Sequence, residues 1–204
     1  EEVLRLLEKI VNSVGVSRLK LVYVAIDGAA PMAKIIQQRQ RRFKSAFEAE
    51  SLQKIASEEG IERKGIQWNS NAITPGTKFM DRLCAHLEGY LTILKSIHRD
   101  IDFILDSSKN YGEGEHKLFK HMDINKTEHS SFQKVIYGLD ADLIILSMLR
   151  SYSNTYLYRE TSYYPFQPDD PVNYLYMDVS VMRESIINEY WQQGMDTHQR
   201  LMID

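Results

Sequence analysis

Three short apolar runs in this sequence end in aspartate: LVYVAID at Asp27, IDFILD at Asp106 and VIYGLD at Asp140. Runs of this length rich in Val, Ile, Leu and Tyr read as buried strands. Around them lie segments whose apolar residues recur every three or four positions, the period of a helix with one buried face. EEVLRLLEKIVNSV is the first, with Val3, Leu6, Leu7, Ile10 and Val11 on its stripe. Pro31 opens a long one, with Ile36, Phe43 and Phe47 marking an apolar stripe and Gly60 as its stop. ITPGTKFMDRLCAHLEGYLTILKSI is another, capped near Thr77, with Phe79, Leu83, Leu87, Leu91 and Leu94 expected inward. EHKLFKHM, ADLIILSMLR and SVMRESIINEYW are shorter helices, and NTYLYRE and VNYLYMD further strands. Strands alternating with helices predict an α/β fold, a three-layer sandwich around a mainly parallel sheet. Open sheets of that kind bind ligands outside the carboxyl ends of their strands, where all three aspartates fall.

The bulk properties agree with one domain over 1–204: 43% apolar and 26% charged residues, five prolines and no low-complexity tract. The single cysteine, Cys84, excludes an intrachain disulfide and a zinc–cysteine site. It fits a reducing compartment, so the expected location is intracellular, in cytoplasm or nucleus. No apolar run approaches the roughly 20 residues of a membrane-spanning helix, and no membrane association is expected. The chain starts at Glu1 and stops at LMID directly after a helical pattern, so further sequence is expected at both ends.

The chemistry concentrates in two acidic pairs. GEGEHK, residues 112–117, sets Glu113 and Glu115 among glycines, and GLDADLIIL sets Asp140 and Asp142 beside core-like residues. In a helix interior Glu113 and Glu115 diverge. They converge if Glu113 lies in the loop and Glu115 in the first helical turn, a path that Gly112 and Gly114 make sterically open. Asp140 and Asp142 point the same way if the chain stays extended through both. Bracketed by VIYG and LIIL, these two are expected to be largely buried, and buried carboxylates need a proton, a basic partner or a metal. An all-oxygen ligand set favours Mg²⁺ or Mn²⁺, and two such ions about 4 Å apart break phosphodiester bonds by in-line attack of water. An acidic rim in solvent is the bland alternative for any one of them.

The complement precedes these pairs. From Gly28 to Phe47 there are five basic residues and no acidic one. Lys34, Gln38, Arg41, Arg42 and Ser45 fall on one helical face, beginning a few residues beyond Asp27. A cationic face is commonly just solvated. Beside a metal–carboxylate centre it becomes a phosphate receiver, Arg and Lys neutralising charge and Gln donating from its amide.

AIDGAAPMAKIIQQRQRRF, ITPGTKFM, GEGEHK and VIYGLDADLIILSM, in this order and spacing, resemble the N-terminal nuclease region of the Xrn-type 5′-3′ exoribonucleases, and YRE and MDVSVMRESI extend the similarity over essentially the whole chain. The resemblance implies a PIN/flap-nuclease-like fold. It assigns catalytic and metal-binding roles to Asp27, Glu113, Glu115, Asp140 and Asp142, and the substrate's 5′-monophosphate to Lys34, Gln38, Arg41 and Arg42. It implies Mg²⁺ or Mn²⁺ as cofactor, single-stranded RNA with a 5′-monophosphate as substrate, and nucleoside 5′-monophosphates as products. Met32 stands where the family often has a basic residue and Tyr111 where proline is usual. An upstream aspartate and one in a GNDFLP-like motif complete the family's site and are expected outside this chain.

Other residues carry plainer expectations. Asp106 reads as a cap of the SSKNYG turn, His116 as a hydrogen-bonding support, and Lys117 as a residue able to face phosphate. Thr74, Pro75 and Gly76 read as a turn and helix start. The tyrosines at 152, 156, 158, 163, 164, 174 and 176 read as packing rather than base-stacking residues. Two other functions share these features: a catalytically silent module that binds 5′-phosphorylated RNA or another protein, and a flap or structure-specific DNA nuclease.

Overall fold

Leu21–Ala25 forms strand β1 and pairs in parallel with β2, Asp102–Asp106, in a register from Leu21 opposite Asp102 to Ala25 opposite Asp106. The computed structural model describes residues 1–60, 69–138, 140–150, 152–160 and 174–190. The chain divides into two compact units, one of residues Glu1–Leu6 and Val16–His121, the other of Leu7–Gly15 and Met122–Asp204.

In the first unit the parallel β1–β2 pair requires a long crossover. It is supplied by α2, Met32–Glu58, and α3, Lys78–Ile97. Thr77 caps α3, its hydroxyl accepting the Met80 N–H at 3.3 Å. The buried stripe of α3 is Met80, Cys84, Leu87 and Leu91, so Leu87 and Leu91 are inward as expected while Phe79 is exposed and Leu83 and Leu94 half-buried. The stripe turns toward Cys84, whose small side chain lies against the loop after β2, Sγ 3.3 Å from Ser108 Oγ.

The apolar stripe of α2 is the exposed side of the helix: Ile36, Phe43 and Phe47 are 57%, 75% and 61% exposed, while Lys34, Gln38 and Arg42, one turn apart, are half-buried. Lys34, near the base of the helix, is held by an ion pair described below, an electrostatic tether on the polar face. Pro31 precedes the helix and Gly60, at φ +66°, follows it, as the sequence predicts.

In the second unit β3, Lys134–Tyr137, runs parallel to β4, Thr155–Glu160, with helix α5, Ala141–Arg150, as the crossover; β5, Tyr174–Asp178, adds to β4 in antiparallel fashion. Helix α6, Val179–Tyr190, follows. Ile136, Leu143, Leu157 and Val179 form its apolar core with Tyr158. Tyr158 stacks on Tyr174 and Tyr176 at 4.8 and 4.5 Å and donates its hydroxyl hydrogen bond to Ser13 Oγ at 2.8 Å. Ser13 belongs to α1, Glu2–Val14, whose inner face is Leu4, Leu7, Ile10, Val11 and Val14, with Val3 and Leu6 exposed. Tyr158, Tyr174 and Tyr176 thus pack on one another; Tyr163 and Tyr164 lie outside the described residues. Helix α4, Gly114–Ile124, carries the chain from the first unit into the second. Strands joined by helical crossovers, parallel in two of the three pairings among the described residues, make this the α/β fold that the alternation predicts. Among the described residues no helix is long and apolar enough to cross a membrane.

The turn after β1 tolerates only glycine at position 28, where a Cβ would sit 1.7 Å from the Asn110 carbonyl oxygen. Gly28→Ala should lower the unfolding free energy by about 1–3 kcal/mol in urea denaturation, the usual cost of forcing atoms into a packed site. Gly89→Ala, in α3 with open space around the glycine, should instead raise it by about 0.5–1 kcal/mol.

Candidate active site

The loop leaving β1 and the loop entering α4 are locked together by backbone. Gly28 N–H donates to Gly112 O at 2.8 Å, and Gly112 N–H donates back to Ala29 O at 3.0 Å. Gly112 makes this path at φ +104°, a conformation that side-chain-bearing residues rarely adopt. Asp27 completes the lock, its Oδ1 accepting the Gly114 N–H at 2.7 Å. That N–H is one of the donors a helix N-terminus leaves without an intrahelical partner, and the carboxylate there also complements the helix dipole.

Glu113 stands just before α4 and Glu115 in its first turn, the arrangement that lets the two converge. One oxygen of each glutamate and one ring nitrogen of His116 lie within 4.8 Å of one another. His116 Nε2 is 3.8 Å from Glu113 Oε2 and 3.9 Å from Glu115 Oε1. The Glu113 side chain is only 10% exposed, and its Oε2 accepts a 2.7 Å ion-paired hydrogen bond from Lys34 Nζ. This is the tether at the base of α2. Further along the same face Arg42 donates to Gln38 Oε1 at 3.3 Å, and Arg41 is exposed beside them.

Sequence reasoning missed what lies beneath this cluster. Lys117, one turn after Glu113, is buried rather than turned toward a phosphate: its Nζ donates to Ile26 O at 2.9 Å and Ser107 O at 2.8 Å and pairs with Asp106 Oδ1 at 3.2 Å. Asp106 also accepts from Asn110 Nδ2 and from the Tyr23 hydroxyl, each at 2.8 Å. It therefore holds the SSKNYG turn, as expected, and serves as counter-ion to Lys117 as well. Burial pushes the Asp106 carboxyl upward, but hydrogen bonds from Asn110, Tyr23 and Lys117 outweigh it and hold the group below its ordinary value. Burial, then the hydrogen bond to Asp106, raise the Tyr23 phenol above its usual value, and its ring stacks on His121 at 4.3 Å. The available signal was Asp106 itself, a carboxylate closing a buried strand and so in need of a cation.

In the second unit Asp140 and Asp142 fall at the carboxyl end of β3. Their oxygens come within 4.8 Å of each other, as expected, but by a different route. The chain is not extended through both: α5 begins at Ala141, and Asp140 Oδ1 accepts the Asp142 N–H at 3.4 Å, capping the helix. Both are exposed, where burial was expected. The apolar residues that flank them are shared between a strand and a helix, and the junction that carries the aspartates stays at the surface.

The family described as the XRN 5′-3′ exonuclease N-terminus matches residues 1–161. The chain belongs to this family. Its relatives include 5′-3′ exoribonuclease 1 of Saccharomyces cerevisiae, 36% identical over 180 residues that cover 85% of this chain and 12% of that protein. They also include 5′-3′ exoribonuclease 1 of Homo sapiens, 36% identical over 185 residues, 84% of this chain and 11% of that protein. A third, 5′-3′ exoribonuclease 2 of Schizosaccharomyces pombe, is 40% identical over 149 residues, 63% of this chain and 15% of that protein. The chain thus spans between 11% and 16% of the length of these and similar curated relatives.

In this XRN-type chain Glu113, Glu115 and His116 present two carboxylate oxygens and a ring nitrogen to one small volume, a donor set that fits a hard divalent cation. Its geometry rests on Lys117. Lys117→Met, which keeps the side-chain volume, should cost about 3–5 kcal/mol of stability by leaving Asp106 without its buried partner. The Asp106 contribution has a defined pH sense. Because its carboxyl titrates lower in the folded than in the unfolded chain, that contribution is complete above the ordinary Asp value of about 3.9 and is lost as pH falls through the lowered one. Asp106→Asn should therefore flatten the acid limb of the stability-against-pH curve measured by urea denaturation.

Proposed function

We propose that this chain carries the chemistry of a 5′-3′ exoribonuclease that hydrolyses single-stranded RNA bearing a 5′-monophosphate and releases nucleoside 5′-monophosphates. One observation carries the reading: Glu113 joins the donor group with Glu115 and His116 to the helix face that bears Lys34, Gln38 and Arg42. Acidic groups that suit a divalent ion and basic groups that suit a terminal phosphate therefore meet at one carboxylate. The names of the relatives supply the reaction class.

In this reading Asp27, Glu113, Glu115, Asp140 and Asp142 serve Mg²⁺ or Mn²⁺, which supplies charge at the attacked phosphate and a nucleophilic water. The rest falls to the chain's own residues. Arg41 and Arg42 give fixed forks of donors to the terminal phosphate, and Gln38 turns its amide toward the same group. Holding that end defines which internucleotide bond is presented, and so gives both the 5′-3′ direction and the single-nucleotide product. Asp27 holds α4 at its first residue, which keeps Glu113 and Glu115 in register.

Glu115→Ala and Asp140→Ala should each lower the rate of degradation of 5′-monophosphorylated RNA by about 10²-fold or more with RNA binding largely kept. Arg41→Ala should reduce the preference for 5′-monophosphate over 5′-hydroxyl ends by about tenfold or more, the worth of a charge-assisted contact. Gel analysis of 5′- and 3′-labelled RNA with Mn²⁺ checks both. Unchanged degradation by the acidic variants refutes the assignment. Stable binding without shortening points to a silent phosphate-binding module, and faster cutting of branched DNA to a structure-specific nuclease.

A further inference from the structure

The Lys34–Glu113 ion pair places one carboxylate between two roles. Glu113 Oε2 accepts Lys34 Nζ at 2.7 Å, and the same side chain belongs to the compact group with Glu115 and His116. Glu113 is nearly enclosed, whereas Lys34 is 41% exposed and sits on a long, flexible stem at the base of α2. In this structure the partner of that carboxylate is the Lys34 ammonium. A divalent ion ligated by Glu113 brings two positive charges to a position beside that ammonium, and like charges at that range in a partly enclosed site repel strongly. Metal and Lys34 therefore compete for Glu113.

From this geometry we infer that Lys34 couples the two halves of the site: it guards Glu113 until a divalent ion takes the carboxylate, and the displaced ammonium then serves the substrate's terminal phosphate. The inference rests on the reading of Glu113 as a metal ligand and of the α2 face as a phosphate receiver. Each of the two ligands relieves the other's cost. The metal removes the carboxylate that holds Lys34 away from phosphate, and the phosphate removes the ammonium that opposes the metal. Linkage makes the effect reciprocal, so the factor by which metal tightens phosphate binding equals the factor by which phosphate tightens metal binding. A Lys that belongs to the substrate pocket accordingly weakens metal binding when no substrate is present, the reverse of what a simple phosphate ligand does.

Isothermal titration of the full chain with Mn²⁺, alone and with adenosine 5′-monophosphate as probe, tests this. In the absence of nucleotide Lys34→Gln should bind Mn²⁺ about fivefold more tightly than the unmodified protein, whereas Lys44→Gln, which removes an exposed charge from the same helix, should change it by less than about twofold. Adenosine 5′-monophosphate should raise Mn²⁺ affinity by about tenfold in the unmodified protein and by clearly less in Lys34→Gln. Equal or weaker Mn²⁺ binding by Lys34→Gln, or an equal effect from Lys44→Gln, overturns the coupling. Glu113→Gln separates the two levels. If it leaves Mn²⁺ affinity unchanged, or if Mn²⁺ does not bind at all, the metal reading fails and takes the coupling with it. If it weakens Mn²⁺ while Lys34→Gln does not strengthen it, the coupling alone is wrong.

Discussion

The ammonium of Lys117, on a side chain only 5% exposed, is the contact from which the first unit's chemistry is built. It reaches out of α4 to the Ile26 carbonyl beyond β1 and the Ser107 carbonyl beyond β2, and is neutralised by Asp106 at the end of β2. A buried charge is tolerated only when its donors are satisfied and its sign balanced, so this single group forces two strand ends and one helix into a fixed relation. The backbone bonds between residues 28, 29 and 112 and the Asp27 contact to Gly114 fix the same first turn of the helix from the loop side. Glu113 and Glu115 inherit their placement from these contacts. The visible cluster is a consequence of the buried one.

Much of the architecture was legible because it depends on local periodicity and chain stops. The three strands ending near Asp27, Asp106 and Asp140 formed, Pro31 and Gly60 bracket α2, and Thr77 caps α3. The convergence of Glu113 and Glu115 was also readable, since it required only a helix starting between them and a glycine free to take positive φ. What periodicity leaves open is burial. Ile36, Phe43 and Phe47 share a face as predicted, yet that face is the exposed one. Periodicity reports which residues stand together, not which way the helix is turned. The polar face makes a contact 79 positions away in sequence, Lys34 to Glu113, which no local window contains.

The same limit explains the two lysines. Lys34 and Lys117 have one side-chain chemistry, and the sequence offers each to phosphate. The structure buries Lys117 among carbonyls and leaves Lys34 at the edge of an acidic cluster. Asp140 and Asp142 show it for acids: their apolar neighbours suggested burial, but a strand ends before them and a helix begins between them, so the exchange between elements keeps them in solvent.

The polar face of α2 has a consequence for how this helix can diverge. Lys34, Gln38 and Arg42 recur every four residues along 27 residues of helix, so their common orientation is a matter of counting along the chain. Inserting one residue between Gln38 and Arg42 alters neither charge nor helix propensity, yet swings Arg42 through about 100° around the axis. Drift in amino-acid identity on the outward side is cheap by comparison. The helix is thus a ruler whose spacing, more than its composition, is what descent must preserve.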